Sequence, residues 1–571
     1  MLWSRPMTVH RSLGGLLLLA AACATTPSSP TPADKGPLES FAPGATRAAA
    51  SIQPAALAGH IKFLADDLLE GRDTGSRGFS IAARYVAAEM LAMGLKPAGE
   101  DGTYFQKVTF VGAKAPEQAT LEILGGKPSP LKLVAGKDFA TAANLGSGRT
   151  DLDAPLVFVG YGLSVPEYHY DDFAGVDVRG KMVVIFAGSP RSERPDFFPA
   201  LAASVYSQSE RVADDLKARG AVGGLVVWTP LRESLTPFGH MVQHFSFEAM
   251  RLKQKAPRLG GALITSEAFQ RLLQAAGRTE TVADLIAACD AGKPRSFDLG
   301  LRARLRADNP VRELTSVNVV GLVPGDPASP TRDEVVVYGA HLDHMGIGKP
   351  VNGDSIYNGA SDDAAGVASL LETARAFTLL DKPPARSILF LFVTGEERGL
   401  LGSEWYADHP TVPMSKIVAD IDVDSAYPIN PLKDVVALGV DESSMQADVD
   451  RAARALGLIV SPDPAPDEGY FVRSDNFNFV KQGVPAAQTM NGVAGLTAEE
   501  KKAWTAFWAA RYHQPQDEFE PNRDWKPFAD LTRFNFLLGL SVAQSPKRPT
   551  WNASSWFRRF PEAKPATTSA R

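Results

Sequence analysis

Between residues 334 and 424, and again near 513, the chain places groups able to bind a metal or move a proton at the ends of apolar runs. Gly339-Ala340-His341-Leu342-Asp343-His344 follows the first run. Asn358-Gly359-Ala360-Ser361-Asp362-Asp363-Ala364-Ala365-Gly366 sets two adjacent carboxylates on a Gly-flanked loop, and Thr394-Gly395-Glu396-Glu397 ends the second run. A third delivers Asp420, Asp422 and Asp424, and Tyr512-His513-Gln514-Pro515 adds an imidazole much later. Taken singly, adjacent acids before a helix serve its dipole or cap it, and a lone His is usually a hydrogen-bonding residue. Taken together, such groups converging without a cation would repel one another and incur desolvation costs of several kcal/mol. A metal centre resolves that conflict. Mixed imidazole and carboxylate ligands without thiolate suit zinc, with manganese or cobalt as substitutes. Two His and three acids are more than one tetrahedral site holds, whereas two metals sharing a bridging carboxylate use all five and leave room for water.

Strand ends must hold these groups. The pattern predicts strands over 334–340, 387–393 and 416–423 and helices over 365–380 and 401–408. Apolar strands alternating with helices give an α/β architecture, a sheet covered by helices on both faces, and ligands in such sheets lie outside the carboxyl ends of the strands. Upstream, helices over 57–69 and 81–95 flank a Gly-rich turn at 70–78. From about 120 to 305 the character changes to short β-rich runs at 156–159, 182–186 and 224–228, set among turns with one helical stretch near 198–219. No charged or His-rich cluster unifies that region. His240 and His244 stand four apart but lack the Glu of a His-Glu-x-x-His helix, so they read as a surface pair. Cys289 reads as a buried small hydrophobe in an apolar helix.

The chain has 571 residues, 44% hydrophobic and 22% charged, which excludes disorder throughout and allows several domains. With 59 basic against 65 acidic residues and a net charge of −6, it offers nucleic acid no electrostatic footprint. Two Cys are too few for a disulfide framework. Arg5, His10 and Arg11 precede an apolar run at 13–22, shorter than the about 20 residues a membrane span needs. Residues 1–22 therefore read as a signal peptide. Ala20-Ala21-Ala22-Cys23 resembles a bacterial lipobox, with Ala20 where Leu is preferred; the resemblance implies a lipid anchor at Cys23. Ala24 after it, unlike Asp, favours the outer membrane of the cell envelope. Residues 23–50, rich in Thr, Pro, Ser and Ala, read as a flexible tether, and 546–571 as a partly ordered tail.

The ordered set of motifs from about 312 to 540 resembles the M28 family of zinc peptidases, and Glu70-Gly71-Arg72 resembles that family's N-terminal portion. The resemblance implies two zinc ions per chain. It makes His341 and Asp424 ligands of the first, Asp362 the bridging ligand, Glu397 and His513 ligands of the second, and Asp343 the partner of His341. It assigns Glu396 as general base and Tyr512 as a group that stabilises the tetrahedral intermediate. Where the family often has Asn, this chain has Asp422, and Arg473-Ser474-Asp475 continues with Asn476 where the family usually has His. The stretch Asp171-Asp172-Phe173-Ala174-Gly175-Val176-Asp177-Val178-Arg179-Gly180-Lys181 resembles a protease-associated (PA) domain. The resemblance thus divides the chain into peptidase segments at 51–120 and 306–545, an inserted PA domain at 121–305, and a mixed sheet with the zinc-peptidase fold.

The expected reaction is amide hydrolysis of peptide substrates, in its most consistent form removal of an N-terminal residue. A carboxypeptidase on the same fold needs cationic groups for the substrate carboxylate, and Arg473 is available. A glutaminyl cyclase binds one zinc and commonly alters the Glu pair, which is intact here. A non-catalytic surface binding protein on a dead peptidase scaffold, like the transferrin receptor, would have lost ligands, and none is lost.

Overall fold

The computed structural model describes residues 38–560 apart from 117, 128, 193–196, 425 and 426. The expected signal peptide, Cys23, the first part of the expected tether and residues 561–571 lie outside the described residues.

The large sheet contains β1 (Phe105–Ala113), β2 (Ala249–Leu252), β3 (Val311–Val323), β4 (Val335–His341), β5 (Ser387–Val393), β6 (Ile417–Asp422), β7 (Asp434–Leu438), β8 (Ile459–Val460) and β9 (Ala486–Asn491). Their order is β2-β1-β3-β5-β4-β6-β9-β7-β8, and the short strand Lys96–Pro97 pairs with β3. The central strands β5, β4, β6 and β9 are parallel, while β3 joins β5 and β7 joins β9 antiparallel, so the sheet is mixed. The helices that position the site are α1 (Ala45–Ser51), α2 (Pro54–Leu64), α3 (Arg77–Ala92), α4 (Phe238–His244), α5 (Ala364–Thr378), α6 (Leu401–Asp408), α7 (Asn476–Val480), α8 (Ala498–Arg511) and α9 (Lys526–Gln544).

β4 is buried along its whole length. Val336, Tyr338 and Ala340 join the apolar cluster formed with α2, α3, α5 and α9, while Val335 and Val337 join a second cluster with Tyr406 of α6 and Phe479 of α7. β5 divides the same way, Ile388, Phe390 and Phe392 against Leu389, Leu391 and Val393. A strand apolar at both parities belongs in a sheet covered on both faces. Each large side chain so buried stabilises the fold by about 1.5–3 kcal/mol.

A second, eight-stranded sheet takes all its strands from between Ala119 and Asp308 and has its own apolar cluster. It is joined to the large sheet, because β2 leaves its middle to pair with β1. The region is more helical than its sequence suggested. Helices Ser266–Ala275 and Val282–Asp290 begin at Thr265 and Thr281, whose hydroxyls cap them, the latter in a capping box with Asp284. Cys289 is free and fully buried in the second of these, and burial pushes its thiol up to about 12.

One expectation from composition is corrected. The end of the expected tether is α1: Ala45, Ala48 and Ala49 form a small-residue face buried against the main core, and Arg47 pairs with Asp381 at 2.7 Å. Alanine is the strongest helix former, so an Ala-rich run beside a waiting surface orders. In the expected tail, Phe557 is completely buried, its ring 5.3 Å from that of Phe471. Among the described residues no helix is long and apolar enough to cross a membrane.

Candidate metal centre

The parallel strands β4, β5 and β6 bring their carboxyl ends to one edge of the sheet. His341 is the last residue of β4, Glu396 and Glu397 lie just beyond β5, and Asp424 just beyond β6. Asp362 sits on the loop entering α5, and His513 follows α8. The structure brings these residues together. His341 Nε2 lies 3.1 Å from Asp362 Oδ1 and 3.6 Å from Asp424 Oδ1. On the other side, His513 Nε2 lies 3.3 Å from Asp362 Oδ2 and 3.0 Å from Glu397 Oε2. Glu396 offers an oxygen within 4.8 Å of ligand atoms of His341 and Glu397. Tyr512, 45% exposed, stacks on His513 with ring centroids 4.0 Å apart.

Asp343 is the partner of His341, through its backbone rather than its carboxylate. His341 Nδ1–H donates to the backbone carbonyl of Asp343 at 3.0 Å, which leaves Nε2 to face the acids. The Asp343 carboxylate instead accepts the Glu396 N–H at 3.2 Å and the Thr74 hydroxyl at 2.9 Å. It therefore fixes the Glu396–Glu397 turn rather than the imidazole. The neighbouring acids are held differently, although Asp363 also groups with His341 and Asp424, their ligand atoms within 4.8 Å of one another. Asp363 caps α5, its Oδ1 accepting the Gly366 N–H at 2.8 Å. Asp422 lies beneath the site, sharing the Ser474 hydroxyl with Asp424 at 2.6 and 2.8 Å.

Three groups to which the sequence assigned no role lie among these loops. The fully buried Arg72 guanidinium donates to the carbonyls of Leu342, Asn358 and Gly359 at 3.1, 2.6 and 2.9 Å, tying the exit of β4 to the Asp362 loop. Burial lowers it to about 10, and the acids around it resist that shift. The Asp517 carboxylate accepts the N–H groups of Ser361 and Asp362 at 2.9 and 3.1 Å, coupling the His513 segment to the same loop. His344 is completely buried, with Nδ1 2.7 Å from Glu397 Oε1. Its position three residues past His341 was the available signal.

His240 is exposed, but His244 is not its partner on the surface. The His244 ring lies nearly parallel to that of His513, with centroids 6.2 Å apart. Helix α4 therefore reaches the site from the 119–308 region. Gln243 beside it hydrogen-bonds the Tyr357 hydroxyl, and Phe247 meets the Tyr357 ring edge-on at 5.0 Å.

The electrostatics follow from burial and pairing. Burial and Glu397 push Asp362 up, but hydrogen bonds from His341 and His513 outweigh them and hold it below the usual carboxylate range. Burial likewise raises Glu397, and His513 and His344 more than reverse it. Glu396 is held well above the usual range by burial, against His341 and with the help of Glu397 and Asp424. Burial lowers both imidazoles, yet Glu396, Asp362 and Asp424 carry His341 well above its ordinary value. Glu397 and Asp362 carry His513 up to about 10. A cage that protonates its own imidazoles has the donor chemistry of a divalent cation site.

Peptidase family M28 matches residues 318–535, which hold every one of these candidate ligands. This segment is similar to that family over 218 of the 571 residues. The chain is 28% identical over 281 residues to the probable leucine aminopeptidase 2 of Aspergillus oryzae, an alignment covering 46% of this chain and 52% of that protein. It is 29% identical over 206 residues to the protein of the same name from Aspergillus fumigatus, covering 35% and 38%. The chain thus spans about half or less of the length of these relatives. An aminopeptidase from Aneurinibacillus sp. strain AM-1 shares the fold, with a TM-score of 0.51 at 21% identity, over 88% of this chain and 96% of that one.

Proposed function

We propose that the protein is a metal-dependent exopeptidase, an aminopeptidase acting on peptides through a two-zinc centre. The observation that carries this reading is the Asp362 carboxylate, with one oxygen facing His341 and the other facing His513. The donor set fits: His341, Asp362 and Asp424 would hold one cation, and Asp362, Glu397 and His513 the second. Divalent cations so held act as Lewis acids and lower the pKa of an attacking water. Glu396, anchored through its N–H to Asp343, takes the proton from the water and returns it to the leaving amine. The Tyr512 hydroxyl donates to the developing oxyanion. The Aspergillus relatives, both probable leucine aminopeptidases, support the aminopeptidase form.

The insert expected at 121–305 is read as a PA-type domain, with α4 walling one side of the site. The chain is read as lipid-anchored at Cys23 in the cell envelope. A panel of aminoacyl anilides, N-blocked peptides and C-terminal substrates, assayed with and without chelator, tests the reaction. Chelator-sensitive turnover of the aminoacyl anilides is expected. Turnover of only the N-blocked or C-terminal substrates would overturn the aminopeptidase assignment.

A further inference from the structure

His344 is buried to zero exposure, and among the described residues neither ring nitrogen makes an aligned hydrogen bond. Its Nδ1 nevertheless lies 2.7 Å from Glu397 Oε1, an oxygen that also lacks an aligned partner. Two buried polar atoms pressed side by side without an aligned hydrogen bond are costly, and natural proteins rarely leave them so. Ligands of one small cation are also brought close, because bonds of about 2.0–2.2 Å at tetrahedral angles set adjacent ligand atoms about 3.3–3.6 Å apart; a cation between these two atoms would open the contact slightly. Ligand atoms of His344, Asp362 and Glu397 all lie within 4.8 Å of one another.

The ring has a built seat. A Cβ on Gly359 would stand 2.5 Å from His344 Cγ and 2.7 Å from Cδ2, and Gly359 has φ +62°. Only glycine fits there on both counts. Arg72 holds both sides of the seat, donating to the Gly359 carbonyl at 2.9 Å and accepting the His344 N–H at 3.3 Å. His513 approaches the other oxygen of Glu397 at 3.0 Å. Glu397 thus stands between two imidazoles, as Asp362 does.

We propose that His344 is a third imidazole ligand, so that the cation beside Glu397 is held by two histidines and two carboxylates. This rests on the two-cation reading and adds to it a ligand on a different loop from His513. A second imidazole makes that position more selective for zinc or cobalt over magnesium or calcium, because nitrogen donors favour the former.

The test uses the full-length, zinc-loaded protein. X-ray absorption at the zinc edge should require three imidazoles per pair of zinc ions, a readout that needs no variant to fold. Competition against a chelator should show one zinc of His344→Ala bound at least about 100-fold more weakly, beyond the 10–100-fold typical of outer hydrogen-bond partners. The other zinc should stay within a few-fold of the parent. Two imidazoles per pair in the parent would overturn the proposal, as would both zinc ions of His344→Ala binding with near-parental affinity. A parent that takes up no zinc would instead bring down the two-cation reading itself, and this inference with it.

Discussion

The two oxygens of Asp362 face different histidines, Oδ1 toward His341 at 3.1 Å and Oδ2 toward His513 at 3.3 Å. These imidazoles are 172 positions apart in the chain, and Arg72 and Asp517 lock the loop that carries Asp362 between them. A side chain that serves both halves should fail differently from one that serves only one. Asp362→Ala is expected to lose both metals, and Glu397→Ala to lose one and weaken the other less. Metal analysis of the purified variants decides this; retention of one full equivalent by Asp362→Ala would mean that the carboxylate does not bridge.

The adjacent glutamates are distinguished by what anchors them. Glu397 lies between His344 and His513, whereas Glu396 is held mainly through its backbone and raised by burial. Glu396→Gln keeps the shape and removes the proton acceptor, so kcat should fall by about 10²–10⁴-fold. Metal content and KM should change little. Near-parental turnover, or metal loss like that of Glu397→Ala, would show the pair to be wrongly divided.

Much of this was legible because apolar strands with chemistry at their ends are a local pattern. The strand at 387–393 and the helix at 401–408 fall where periodicity put them. What was not legible depends on tertiary approach. Nothing near Arg72 in sequence says that its guanidinium will meet the carbonyls of 358 and 359, and nothing near His244 says that α4 will lie over His513. The helix at Val282–Asp290 is different: Thr281 and Asp284 announce its capping box in the sequence, and only the surrounding β-rich runs drew attention from it.

Metal-free protein should lose stability as pH rises above neutrality. Both imidazoles have folded values above their ordinary 6.5, His513 at about 10. Their protonated form stabilises the fold fully below the unfolded value, and that contribution disappears as pH rises through the folded values. The urea midpoint of the chelated protein should therefore fall between pH 7 and 10. Zinc addition at pH 8 should release protons into a weakly buffered solution. A flat profile for the chelated protein and no proton release would show that the acids do not hold these imidazoles charged.

Asp422 and Asp424 should respond oppositely to the same substitution. Ser474 has one hydroxyl proton for two carboxylates at 2.6 and 2.8 Å, so it can donate to only one of them. Burial first, then Asp424 and Asp420, raise Asp422 well above the ordinary range, which favours its neutral form. An amide resembles a neutral carboxyl in size and polarity. Asp422→Asn should keep both metals and most activity, and Asp424→Asn should lose metal; the reverse result would exchange their roles.

The final prediction concerns Asp172, in the motif that resembles a PA domain. Its Oδ2 accepts the N–H groups of Tyr161 and Leu163 at 2.9 and 3.0 Å, and its Oδ1 accepts the Tyr170 hydroxyl at 2.7 Å. A Cβ on Gly160 would stand 2.0 Å from that carboxylate, so the glycine makes its room. The motif is thus a structural knot, and Asp172→Ala should destabilise the fold by about 1–3 kcal/mol for each donor left unpaired while zinc content is unchanged in the folded fraction. Burial raises Asp172 to about 7, only partly offset by those hydrogen bonds. A folded value above the unfolded 3.8 means the native state keeps a proton that the unfolded chain has released. Stability from this group is therefore greatest at low pH and declines toward pH 7, by at most about 1.4 kcal/mol per pH unit. Asp172→Asn should flatten that decline when urea unfolding is compared between pH 4.5 and 7.5. An unchanged slope would assign the pH dependence to another group, and zinc loss in folded Asp172→Asn would tie the motif to the metal centre.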